Sequence, residues 1–201
     1  MQLILDLTAP VEPDFDNYVA GPNAEALASV RSFAAAERRE AVLYLWGEPG
    51  SGRTHLLQGA RKVNASLVIA DDVEQLDETA QQRLFVAINA AREGAAPVLA
   101  AGGRPPAQLA LREDLRTRLA WGLVYQLKPL SDAEKALHLR ALAARRGLRL
   151  SDEVVGYLLT RLPRDLPTLN SVLDALDKYS LSAKRPVTLP LVREALERKI
   201  R

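Results

Sequence analysis

The sequence predicts an α/β fold, a parallel sheet covered by helices, followed by an all-helical unit. Three observations predict it. Short apolar runs alternate with amphipathic stretches as far as Leu127, and a glycine-rich turn leads out of the first run into a helix. Beyond Pro129 the apolar runs cease while helix-capping signals continue.

The elements follow in order. Met1 to Leu7 is apolar and alternating, and Thr8-Ala9-Pro10-Val11-Glu12-Pro13 reads as a linker, because two prolines disfavour a helix or a central strand. Leu27, Val30 and Phe33 or Ala34 recur at helical spacing in Ala24 to Glu40, with Asn23 as the N-cap. Val42 to Trp46 is the first strand, and a helix runs from Gly52 to about Lys62. Leu67 to Ala70 is a strand, Glu78 to Arg92 a helix, Pro97 to Ala101 a strand, Gln108 to Trp121 a helix with irregular ends, and Leu123 to Leu127 a strand. Ser131-Asp132-Ala133-Glu134 is a capping box for a helix that Gly147 ends. Ser151 caps the next helix, which stops before Pro163. Leu166, Leu169, Val172, Leu173 and Leu176 mark a third helix, and Leu189 to Ile200 a fourth. The domain boundaries expected from this reading are 1–13 for a tail and linker, 14–130 for the α/β base and 131–201 for the helical lid.

Composition excludes several classes. The 201 residues, 48 % of them hydrophobic, suffice for a core, and the absence of cysteine rules out disulfides and thiolate metal sites. Two distant histidines make no zinc cluster. No apolar run approaches about twenty residues and no secretory signal opens the chain, so a soluble, cytoplasmic protein without membrane contact is expected. A net charge of +2, with both signs interspersed, gives no concentrated basic face for DNA.

The chemistry sits in Gly47-Glu48-Pro49-Gly50-Ser51-Gly52-Arg53-Thr54, which fits G-x-x-x-x-G-K-[ST] except at Arg53. Gly47, Gly50 and Gly52 let the N–H groups of the turn, with Pro49 and Ser51 in it, face a nucleotide's phosphates. Thr54 supplies a hydroxyl to Mg²⁺. Arg53 keeps the charge of the usual lysine but spreads it over a planar fork, which suits binding better than turnover. Asp71 and Asp72 end the second apolar run; Asp71 suits Mg²⁺, and Asp72 suits the polarising of a water.

These residues resemble the DnaA-related AAA+ family, and within it the Hda type, from Asp14 to Arg201. Phe15 to Asn23 resembles the segment that wraps adenine, which implies roles for Tyr18 and Val19. Gly52-Arg53-Thr54-His55-Leu56-Leu57 is similar to the family's phosphate loop, with His55 in the nucleotide set, and arginine for lysine is an Hda-type feature. Gly103-Arg104-Pro105-Pro106 resembles the sensor 1 segment, although Gly103 stands where the family has an acid. Leu115 to Leu123 resembles the arginine-finger segment, implying Arg118 as the finger with Arg116 as the next candidate, and Arg164 in Arg164-Asp165-Leu166 as sensor 2. About twenty residues between Trp46 and Leu67 leave room for one helical crossover, not for the further strand and helix that the family inserts, so a shortened, four-stranded sheet is expected. The tail Gln2-Leu3-Ile4-Leu5-Asp6-Leu7 resembles the clamp-binding motif of the Hda type, which implies Gln2 at the rim of a cleft and Leu3, Leu5 and Leu7 in apolar pockets.

The resemblance implies an adaptor that holds ADP or ATP with Mg²⁺, docks on the DNA polymerase sliding clamp and presents Arg118 to ATP bound by DnaA. It further implies that DNA is met only through the clamp and that origin recognition is not expected; a homo-oligomer stays open. Two alternatives also stay open: an autonomous ATPase resembling a helicase loader, and a nucleotide-free clamp adaptor.

Overall fold

The computed structural model describes residues 12–37, 39–163 and 165–197. They divide into two compact units, Pro13–Pro129 and the helices from Leu130 onward.

In the first unit α1 (Ala24–Ala34), β1 (Val42–Gly47), α2 (Arg53–Val63), β2 (Val68–Ala70), α3 (Glu78–Arg92), β3 (Val98–Gly102), α4 (Glu113–Leu119) and β4 (Leu123–Leu127) follow one another. The four strands form one parallel sheet in the order β2-β3-β1-β4, the four-stranded base expected from the short crossover. Strand alternation splits the core in two. Leu43, Leu45, Leu99 and Ala101 face one way onto Val30 and Phe33 of α1 and Leu56, Leu57 and Ala60 of α2. Val42, Tyr44, Val98 and Ala100 face the other way onto Leu84 and Ile88 of α3 and Leu115 and Leu119 of α4. Since β1 and β3 are covered on both faces, they read as continuous apolar runs.

Three local readings change. The first helix stops at Ala34, six residues before Glu40, because Ala36 enters the left-handed region at φ 57°. Ala36 N–H then donates to Phe33 O, and Glu37 N–H to Ser32 O, a Schellman ending built on alanine instead of glycine. Asn23 precedes that helix but its side chain does not cap it. Buried to 3 % exposure, it brackets the end of β4 instead, accepting from Lys128 N–H and donating to Lys128 O, both at 2.8 Å. The Gln108 to Trp121 stretch resolves into a 3-10 turn (Pro106–Gln108) and the seven-residue α4.

The second unit contains α5 (Asp132–Arg145), α6 (Asp152–Arg161), α7 (Leu166–Ala183) and α8 (Leu189–Glu197). Ser131 and Glu134 make the capping box at α5, and Gly147 closes that helix at φ +73°. Ser151 caps α6 and Asp165 caps α7, where Pro167 lies in the first turn and no backbone donor is lost. Val154, Leu158, Val172, Leu176, Leu191 and Val192 form this unit's main core. Among the described residues no helix is long and apolar enough to cross a membrane.

Candidate phosphate site and arginine surface

All four strands are parallel, so their C-terminal ends share one edge of the sheet, the usual place for ligands in such folds. β1 ends at Gly47, which packs so closely on the Leu127 carbonyl of β4 that no Cβ fits. The chain turns through Gly50 (φ +81°) and Gly52 (φ +93°) into α2, whose first turn receives no side-chain cap. Its free N–H groups and positive dipole end face the turn. Pro49 is exposed, and Ser51 is buried.

β2 ends at the same edge. Thr54 Oγ1 donates to Asp71 Oδ2 at 2.5 Å, bringing together the two groups expected at Mg²⁺. A hydroxyl and a carboxylate are hard oxygen donors that fit Mg²⁺, which takes its remaining ligands from phosphate and water. Asp72 adopts φ 42° and its carboxylate lies 3.1 Å from Arg53 Nη2. Arg53 is largely buried, with 13 % of its side chain exposed.

Glu74 escapes the sequence reading. It lies in the 3-10 turn Val73–Gln75, and its Oε1 accepts from Gly103 N–H at 2.7 Å while standing 3.9 Å from Arg53 Nη1. A carboxylate therefore does reach the Gly103 segment, delivered from the loop after β2. The signal was Gly102-Gly103 itself: an added Cβ at Gly103 meets Glu74 Oε1 at 2.9 Å, and one at Gly102 meets Glu74 Oε2 at 2.7 Å and the Tyr44 hydroxyl. Tyr44 is buried in β1 and donates to Arg104 O at 2.8 Å. Burial, with the negative charge of Glu74 adding and Arg53 opposing, pushes its phenol well above the ordinary value.

The opening segment covers the loop. Tyr18 sits over Gly52, where an added Cβ would be 2.7 Å from Tyr18 Cε2, and its hydroxyl lies 3.4 Å from Ser51 O. Val19 beside it is half-buried. His55 does not point at the phosphate turn. Its ring meets Tyr18 edge-on at 5.3 Å, and Nε2 lies 2.8 Å from Asp14 O.

Arg118 belongs to another neighbourhood. Nε donates to Asn89 Oδ1 at 2.7 Å, Nη1 donates to Asp114 O at 3.1 Å, and the guanidinium stacks 4.0 Å from the Phe85 ring centre and 4.9 Å from that of Trp121. Arg92 lies 4.3 Å over Trp121 as well. Trp121 shares a shallow cleft with Val42 and Gly122, at the start of β1 and just before β4. This is the N-terminal edge of the sheet, opposite Gly47. A strand of this length spans about 15–20 Å, so Arg118 lies far from its own chain's phosphate turn. Arg116 is half-buried on the same helix. Arg164, Gln2, Leu3, Leu5 and Leu7 lie outside the described residues.

Comparison with known proteins gives the fold a family setting. Residues 132–196 match the family described as Hda, lid domain. Domain III of the replication initiation protein DnaA from Thermotoga maritima superposes with a TM-score of 0.72 at 22 % identity, covering 96 % of this chain and 100 % of that one. AMPPCP-bound DnaA from Aquifex aeolicus gives 0.66 at 20 % identity over 85 % of this chain and 66 % of that one. The Holliday junction branch migration motor RuvB of Thermotoga maritima gives 0.63 at 15 % identity over 92 % and 71 %. At these identities the structural likeness is one of fold. Residues 132–196 thus match the Hda lid family, and the chain has the fold of DnaA domain III.

Proposed function

We propose that this protein is a regulatory adaptor that inactivates the replication initiator DnaA: it holds ADP, docks on the sliding clamp and promotes hydrolysis of ATP bound to DnaA. The observation that carries the reading is the position of Arg118. A guanidinium held against Phe85 and Trp121, at the sheet edge opposite its own phosphate turn, supports a role toward another subunit's nucleotide. Such a cation stabilises charge developing on the transferred phosphoryl group, an effect on the order of 10³–10⁵ in other systems. The hydrolysed bond belongs to the partner.

The chain's own nucleotide has a structural part in this reading. Its phosphates bind the N–H groups from Gly47 to Thr54 and Arg53, with Thr54 and Asp71 at Mg²⁺ and Tyr18 and Val19 beside the base. Gln2, Leu3, Leu5 and Leu7 anchor the protein to the clamp. Support comes from the Hda lid match and from the DnaA-like fold.

The test is phosphate release measured with the protein alone, then with ATP-loaded DnaA and DNA-loaded clamp. Release is expected only in the second mixture, and Arg118→Ala is expected to abolish it while leaving folding and ADP binding nearly intact. Equal stimulation by mutant and wild type rejects Arg118 and turns attention to Arg116. Release by the protein alone at the same rate favours an autonomous ATPase. A labelled Met1 to Thr8 peptide titrated against the clamp tests the anchor: binding is expected, and a tenfold loss on replacing Gln2 and Leu3 by alanine corresponds to about 1.4 kcal/mol.

A further inference from the structure

Glu74 has no part in the proposed function, although it is the most constrained acid at the phosphate site. Its turn follows β2, and its Oε1 is fixed by the Gly103 N–H at 2.7 Å. Its Oε2 is buried and, among the described residues, makes no hydrogen bond; the same holds for Arg53 Nη1, 3.9 Å from Oε1. Arg53 stands where a phosphate loop's basic side chain reaches the β- and γ-phosphates. Here that guanidinium faces two carboxylates, Asp72 at Nη2 and Glu74 at Nη1.

The two acids differ in freedom. The Asp72 side chain is 54 % exposed and has room to leave Arg53 when a phosphate arrives. Glu74 is more enclosed, at 28 %, and withdrawing it strands the Gly103 N–H, a loss that costs more than an ordinary hydrogen bond returns. Glycines at 102 and 103 hold open the space it fills. A β-phosphate gathered by the loop needs only the N–H groups and the near edge of Arg53. A third phosphate drawn along Arg53 would approach the carboxylate that stands 3.9 Å from Nη1, and like charges repel strongly in a partly buried site.

We propose that Glu74 makes this site discriminate against the terminal phosphate, so that a nucleoside diphosphate is accepted and a triphosphate is disfavoured. The proposal rests on the reading of Gly47 to Thr54 as a nucleotide site. It assigns selectivity to one residue: Glu74 tunes which nucleotide stays bound and takes no part in bond breaking.

Isothermal titration of the full chain with MgADP and with the Mg complex of a non-hydrolysable triphosphate, AMPPCP, tests it. Wild type is expected to bind ADP more tightly. Glu74→Gln keeps an oxygen for the Gly103 N–H and removes the charge, and it is expected to raise the triphosphate-to-diphosphate affinity ratio at least about tenfold while changing ADP affinity less than about threefold. Glu74→Ala reads the same ratio should the glutamine variant fail to fold. A merely structural role would weaken both ligands together and leave the ratio where it was. That result, or a ratio unchanged because neither affinity moves, overturns the assignment to Glu74 while the nucleotide reading stands. Wild type that binds neither nucleotide overturns both.

Discussion

At Gly52 the overlying Tyr18 ring and the left-handed backbone each exclude a side chain. The pattern reserves the position for close approach of phosphate, whereas in the fold a Cβ there collides first with Tyr18 and requires a left-handed backbone at φ +93°. Gly52→Ala is therefore expected to lower the melting temperature of the protein without nucleotide, with a backbone cost of about 1–3 kcal/mol. Adding Tyr18→Ala relieves the collision, so the double variant should lose less stability than the two single variants combined; additive losses would show that Tyr18 does not rest on the loop. His55 gives a pH effect. Burial holds its imidazole below the ordinary value of 6.5, against the opposing hydrogen bond and charge of Asp14. The unfolded chain then takes up a proton near pH 6.5 that the folded one resists, so this contribution is complete above that pH and is lost as pH falls through it. Denaturation midpoints at about pH 7.5 and 5.5 should fall more for wild type than for His55→Gln; equal falls would sink the idea. Gly47, Thr54 and Asp71 were legible because each stands at a strand end or in a fixed motif. Glu74 was not, because its meaning depends on Gly103, on another strand.

Pairs of elements hold the arginine surface. α3 presents Phe85 and Asn89 one turn apart, and α4 brings Arg118 down onto both. With Nε and Nη1 engaged and both ring faces near, the guanidinium has one defined direction. If the proposed function holds, Asn89→Ala should leave folding intact yet lower the maximal rate of stimulated hydrolysis by about tenfold, with half-saturating DnaA nearly unchanged, because a positioning group acts on the reactive geometry. A change confined to half-saturation would make Asn89 a docking residue instead. The strands were legible as apolar runs bounded by turn signals, α5 and α6 by their caps, Ser131 and Ser151, and α7 by its apolar spacing. The end of α1 was not, since alanine carries no signal for a left-handed stop and only the returning Glu37 N–H explains it. Within the stretch read as a helix from Gln108, Leu109 and Leu111 are loop residues packed in the core of α3 and α4.

The whole molecule contains separate cores on either side of the sheet and in the helical unit. Leu176, fully buried in the last of these, sets a clean test: Leu176→Ala should destabilise a fragment of residues 130–197 by about 2–5 kcal/mol in chemical denaturation, the usual cost of emptying such a site. A fragment with no cooperative transition would show that the unit does not fold alone. The sheet order carries a further consequence, for how the chain is made. β1 lies in the middle, yet its neighbours come late: Val42 pairs with Val98, and Leu43 with Leu123. During synthesis at ~5–20 residues per second, the most apolar strand waits about 4–16 s for its last partner. Until β3 emerges Val42-Leu43-Tyr44-Leu45-Trp46 has both edges unpaired, one edge then stays open until β4 follows, and loop closure over so many residues is slow even when the partner arrives. Nascent chains halted before residue 98 should be the aggregation-prone and chaperone-bound ones, and those extended past residue 127 should not.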